Sequence, residues 1–114
     1  MSERTYIDYI TDIAKELERI EEFVEGMSYE EFKRDVKTVY AVIRCFEIIG
    51  EAVKNIPEDV RNSYPQIPWK RIAGMRDKLI HAYFGVDYEI LWETIKRRVP
   101  EIKPLILEVL EDLK

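Results

Sequence analysis

An all-α bundle of four to five helices is the fold class the sequence predicts, and three observations carry it. Apolar residues recur at helical spacing through the long segments, no segment alternates like a half-buried strand, and the breaks fall at glycine, proline and capping residues. The 114 residues are 46% apolar and 36% charged, with four Gly and five Pro, which excludes a disordered or collagenous chain. At this length a single domain over residues 1–114 is expected. Cys45, the sole cysteine, excludes an intrachain disulfide framework and a cysteine-based zinc cluster. No basic n-region with an apolar h-region opens the chain, and its apolar runs fall far short of the roughly 20 residues that cross a bilayer. A cytoplasmic protein without a membrane partner is expected. The net charge of −5 argues against whole-molecule attraction to nucleic acid, so any such chemistry must rest on a local site.

The first helix carries Tyr6, Ile10, Ile13, Leu17, Ile20 and Val24 on one stripe, with Asp12, Lys15, Glu16, Glu18, Arg19, Glu21 and Glu22 assigned to the other face. Gly26 stops it in the usual place for a left-handed cap. Ser28 to Glu31 reads as a capping box for a second helix, which bears Phe32, Val36, Val39, Ile43, Phe46 and Val53 on its seam. A further set, Tyr40, Val42, Cys45, Ile48, Ile49, Ala52 and Ile56, widens that apolar surface beyond what one neighbour covers. Such a helix is either central in its own bundle or shared with another subunit. It must end before Pro57. A proline-punctuated connection runs from Asn55 to Pro68, with room for one turn around Glu58 to Arg61. Pro68 suits the first position of a third helix, about Trp69 to His81, which Gly85 ends. Asp87 caps a fourth, Tyr88 to Val99, with Glu89 in its first turn, and Pro100 either kinks it or starts another through Lys114.

One position breaks the pattern. On a wheel at 100° per residue, Trp69, Ile72, Ala73, Leu79, Ile80 and Tyr83 fall on one side of the third helix, with Arg76 in their midst. A guanidinium there costs several kcal/mol unless it is paired or faces a wet cavity. Either it pairs with a buried carboxylate, Glu47 or Glu51, or it lines a cleft and awaits an anion such as phosphate. The only histidine, His81, lies five residues on, roughly 140° around a regular helix from Arg76. A lone histidine is more often structural. The pair converges only if the last turn unwinds toward Gly85 or if a second chain completes the site. Asp77, four residues before His81, is placed to hydrogen-bond one ring nitrogen, or else is an ordinary surface charge.

The stretch Arg76-Asp77-Lys78-Leu79-Ile80-His81-Ala82-Tyr83 reads R-x4-H-x-Y. It resembles the signature of HEPN-domain ribonucleases, and with the trailing tyrosine it is similar to the HepT toxin branch, encoded beside an MNT-type nucleotidyltransferase antitoxin. Ile49-Gly50-Glu51-Ala52, Pro68-Trp69 and Val86-Asp87-Tyr88 resemble further stretches of that family. The resemblance implies a homodimer in which two Arg–His pairs meet across an interface cleft, giving a further account of the wide apolar surface on the second helix. It implies metal-independent RNA cleavage without a cofactor, with His81 as general base or acid, Arg76 stabilising the phosphorane and Asp77 orienting His81. DNA, lacking the 2′-hydroxyl nucleophile, is not a substrate for such chemistry. Tyr83 is implied as the residue that the transferase modifies with AMP; on spacing alone it is an interface aromatic. Lys70, Arg71 and Lys78 either extend a basic rim for RNA phosphate or are plain solvated charge.

Other candidates carry less. Cys45 sits among apolar neighbours as a small core residue, Glu47 and Glu51 lack the E-x-x-H partner of a di-metal bundle, and no glycine-rich phosphate loop is present. Tyr6, Tyr9, Trp69 and Trp92 are expected to pack. A rival to the ribonuclease is a non-catalytic helical dimer that uses Arg76 and His81 to hold a nucleotide or to dock the transferase.

Overall fold

A computed structural model describes residues 5–81 and 85–113, with the backbone alone at Arg76 and at 78–81. Helix α1 spans Tyr6–Phe23. Thr5 starts it with a capping box: the Asp8 amide donates to Thr5 Oγ1 at 3.3 Å and the Thr5 amide to Asp8 Oδ2 at 3.0 Å. Its stripe of Ile10, Ile13, Leu17 and Ile20 is buried. The chain then turns at Gly26, whose φ of 76° is the left-handed conformation expected of it. Ser28 caps α2, Tyr29–Arg34, through the expected reciprocal bonds with Glu31, both 3.1 Å.

The long second helix predicted from periodicity is broken after one and a half turns. Asp35 leaves helical geometry with ψ 88°, and its carboxylate accepts from the Thr38 amide at 3.0 Å to start α3, Val36–Lys54. An aspartate offers the backbone this local alternative to a continuing helix. The bond from the Thr38 amide holds the Asp35 carboxyl below its ordinary pKa. Helix α3 packs against α1 on one side and α5 on the other. Val39, Val42, Cys45, Phe46, Ile49, Ala52 and Val53 are all buried, so its two-sided apolar surface is covered largely within the chain. Val36 and Tyr40 remain 61% and 69% exposed.

The connection contains α4, Glu58–Ser63, in the place the sequence allows for one turn. Trp69 Nε1 donates to the carbonyls of Arg61 and Tyr64 at 3.0 and 3.1 Å, pinning this linker to the start of α5, Trp69–Leu79. That helix stops two residues short of the predicted end. Ile80–His81, β1, is extended and pairs antiparallel with Gly85–Val86, β2, Ile80 opposite Val86 and His81 opposite Gly85. Two-residue strands are too short for alternation to announce them. Gly85, with φ 82°, serves the returning strand rather than a helix cap.

Asp87 caps α6, Tyr88–Glu93, by accepting from the Ile90 amide at 3.1 Å. A π-helical turn, Thr94–Arg98, then leads straight into α7, Val99–Asp112. Pro100 has no amide to donate to the carbonyl four residues back and its ring crowds that carbonyl; the wider turn just before it relieves the clash without ending the helix. Val99, Ile102, Ile106 and Val109 of α7 are buried, and α7 packs against α1. Among the described residues no helix is long and apolar enough to cross a membrane.

Candidate functional site

Helix α5 buries Trp69, Ile72 and Met75. By helical projection, the Arg76 position lies between Ile72 and Ala73, and the Ala73 carbonyl is 3.5 Å from where a Cβ on Gly50 of α3 would sit. On that projection the Arg76 position is flanked by buried Ile72 and half-buried Ala73. Because α5 ends at Leu79, His81 is carried on an extended segment instead of a further helical turn. The geometric condition for His81 to escape its unfavourable helical bearing from Arg76 is met by the backbone. The side chains of Arg76, Lys78 and His81, and the whole of Tyr83, lie outside the described residues.

Between α3 and α5 lies a cleft of about 360 Å³ lined by Arg44, Glu47, Gly50, Glu51, Lys54, Ala73 and Asp77. Of the two carboxylates considered as buried partners for Arg76, Glu51 is neither buried nor idle: its side chain is 72% exposed and lies 3.8 Å from Lys54 Nζ. The exposure follows from its place on the outer shoulder of α3, one turn from the end. Glu47 is half-buried and Asp77 exposed. Arginine, lysine and three carboxylates meet at this cleft, which suits a polar reaction more than an apolar ligand. Lys70 and Arg71 are exposed and line a separate, larger groove of about 820 Å³ with Arg61, Pro65, Pro68 and Gly74.

Sequence reasoning missed one buried charge. Glu16, assigned to the solvent face of the first helix, is only 4% exposed and is paired with Arg19. It projects about 60° from Ile13 and flanks the buried stripe, a signal the charge pattern obscured. Cys45 of α3 packs beside it. Burial first, and the neighbouring Glu16 carboxylate second, push the Cys45 thiol up to about 12, so the cysteine is an unreactive core residue as expected. Tyr6, Tyr9 and Trp92 pack half-buried against the core, and Trp69 is buried. Among the described residues no group of three or more His, Cys, Asp and Glu is placed to hold a metal ion.

The family model described as "Ribonuclease HepT-like" matches residues 13–109. Over 100 residues the chain is 55% identical to a Thermococcus cleftensis protein named "Probable ribonuclease HepT", covering 88% of this chain and 91% of that one. It is 51% identical over 114 residues to a Methanocaldococcus jannaschii protein named as a candidate RNase, covering 100% of this chain and 98% of that one. A third relative, from Caldanaerobacter subterraneus and also named as a candidate RNase, is 49% identical over 106 residues, 93% of this chain and 95% of the relative. No solved structure gives a significant match. The class so defined is a ribonuclease on an all-α bundle of the HEPN type. Within that class the chain belongs to the HepT-like ribonuclease family.

Proposed function

We propose that this ribonuclease is a cytoplasmic, single-domain toxin that cleaves RNA as a homodimer, one Arg76–His81 pair from each protomer meeting across a shared cleft. The observation that supports it is the end of α5 at Leu79, which frees His81 from a bearing that would carry it away from Arg76. His81 removes the proton of a ribose 2′-hydroxyl, or protonates the leaving 5′-oxygen, tasks for which an imidazole is suited because it can both accept and donate a proton near neutral pH. The 2′-oxygen bonds to phosphorus as the 5′-oxygen departs, leaving a 2′,3′-cyclic phosphate, which water can open, and a 5′-hydroxyl. Arg76 stabilises the charge that develops on the phosphorane oxygens, and Asp77 orients His81. Lys70, Arg71 and Lys78 supply phosphate contacts around the reacting strand. The chemistry needs no metal and does not extend to DNA, which has no 2′-hydroxyl.

Control is by an MNT-type nucleotidyltransferase antitoxin. The Tyr83 hydroxyl attacks the α-phosphorus of ATP, pyrophosphate leaves, and the new AMP places bulk and negative charge two residues from His81, where RNA phosphate must sit. The test is cleavage of defined RNAs by protein purified without its partner. Wild type cuts, and Arg76→Ala and His81→Ala each fall by about 10²–10⁴-fold, the range for losing a general acid–base or an oxyanion stabiliser. Activity that survives both substitutions, or an inert unmodified wild type, favours instead the non-catalytic dimer that binds nucleotide or docks the transferase.

A further inference from the structure

We infer that the groove between α4 and the start of α5 holds a single-stranded segment of RNA, with phosphates on Arg61, Lys70 and Arg71 and a base against Pro65 and Pro68. The inference deepens the reading of RNA as substrate and rests on it. The groove is about 820 Å³, within the range of formed ligand sites, and its lining carries three cations and no carboxylate in a chain of net charge −5. Elsewhere Arg19, Lys54, Arg97, Arg98 and Lys103 are each matched by a glutamate, while Lys15, Arg34, Lys37 and Arg44 make no ion pair among the described residues but are not gathered in one groove of this size. Arg61, Lys70 and Arg71 make no ion pair among the described residues, and Arg61 Nε is buried without a hydrogen-bond partner.

The site is also pre-shaped. Two prolines fix its wall, buried Ile67 and Trp69 form its floor, and the Trp69 indole is held by two backbone carbonyls. A free phosphate would need only the cations; cations edging an apolar floor suit a ligand that alternates anion and flat ring. The groove opens on the same helix that carries Arg76, with Gly74 in its lining two residues before it. One helix diameter, about 10 Å, separates the two sides of α5, so a strand of a few nucleotides reaches both.

Gly74 provides the test, because a Cβ built there meets nothing within 4 Å and both Glu and Lys are better helix formers than Gly. Binding is read by fluorescence anisotropy of a labelled 2′-O-methyl single-stranded RNA, which cannot be cleaved, so the result stands apart from whether the protein is a nuclease. Gly74→Glu is expected to weaken binding by about tenfold or more and Gly74→Lys to tighten it, with thermal unfolding confirming both variants folded. In Lys70→Ala with Arg71→Ala, the slope of log affinity against log salt should become shallower by about 1.4, since each phosphate no longer neutralised removes roughly 0.7. Equal affinity in both Gly74 variants with an unchanged salt slope overturns the inference. So does binding of a labelled acidic peptide that Gly74→Glu abolishes, with no binding of the oligonucleotide.

Discussion

Glu16 and Cys45 show how one buried contact sets the chemistry of a side chain. The Cys45 thiol, ordinarily ionising at 9.0, does so at about 12 in the fold, because the thiolate would sit in apolar surroundings beside a carboxylate. The native protein should therefore resist disulfide-exchange reagents at pH 8 and react at the ordinary rate once denatured; prompt labelling of the native state would contradict that burial. The same shift has a defined sign in stability. Above pH 9 the unfolded chain sheds the thiol proton while the folded chain keeps it, so stability falls as pH rises from about 9 toward 12. Tyr64, whose hydroxyl donates to Asp112, and Lys103, bonded to Glu21, have raised values and steepen the loss at higher pH. Denaturant unfolding of Cys45→Ala should show a shallower alkaline decline than wild type. At this scale Arg76 stands out in the sequence because a cation falls among apolar positions, whereas Glu16 was hidden because charge beside a stripe reads as solvent-facing.

Helix boundaries were legible at several places where a capping residue or a glycine marked them. The Asp87 cap, the Ser28 box and the Gly26 turn lie at the ends of α1, α2 and α6, since their side chains or backbone freedom satisfy groups the helix leaves unpaired, whereas the Thr5 box at the start of α1 went unread. Ser28→Ala should lower unfolding free energy by about 1 kcal/mol; an unchanged denaturation midpoint would show the box contributes nothing. The break at Asp35 was illegible because the apolar period continues straight through it from Phe32 to Val39. If the carboxylate bond to the Thr38 amide is what divides α2 from α3, Asp35→Ala lowers the melting temperature and Asp35→Asn, which can still cap, keeps most of it. Equal melting of the two variants contradicts this assignment. The end of α5 was readable only as a condition: no breaker follows Leu79 until Gly85, and the strand pairing that extends Ile80 and His81 is a tertiary event.

For the whole molecule, sequence periodicity was enough for the all-α class because α1, α3 and α7 each present a continuous stripe to one core, to which α5 adds Trp69, Ile72 and Met75. It left open whether the broad surface of α3 faced its own bundle or a partner, and the fold covers most of it internally. Val36 and Tyr40, one turn apart, are the large apolar residues of α3 that the fold leaves exposed. Light scattering should give twice 13.7 kDa for the wild type, and Tyr40→Glu should shift the protein toward 13.7 kDa if this face joins the protomers. The most direct test of the account is the identity of the ends left on a defined RNA cut by partner-free protein in the presence of a chelator. A 2′,3′-cyclic phosphate or its opened form with a 5′-hydroxyl, absent from His81→Ala and from RNA carrying a 2′-deoxy sugar at the cut, is the predicted result. A 5′-phosphate end, or cleavage that persists at the 2′-deoxy position, contradicts it.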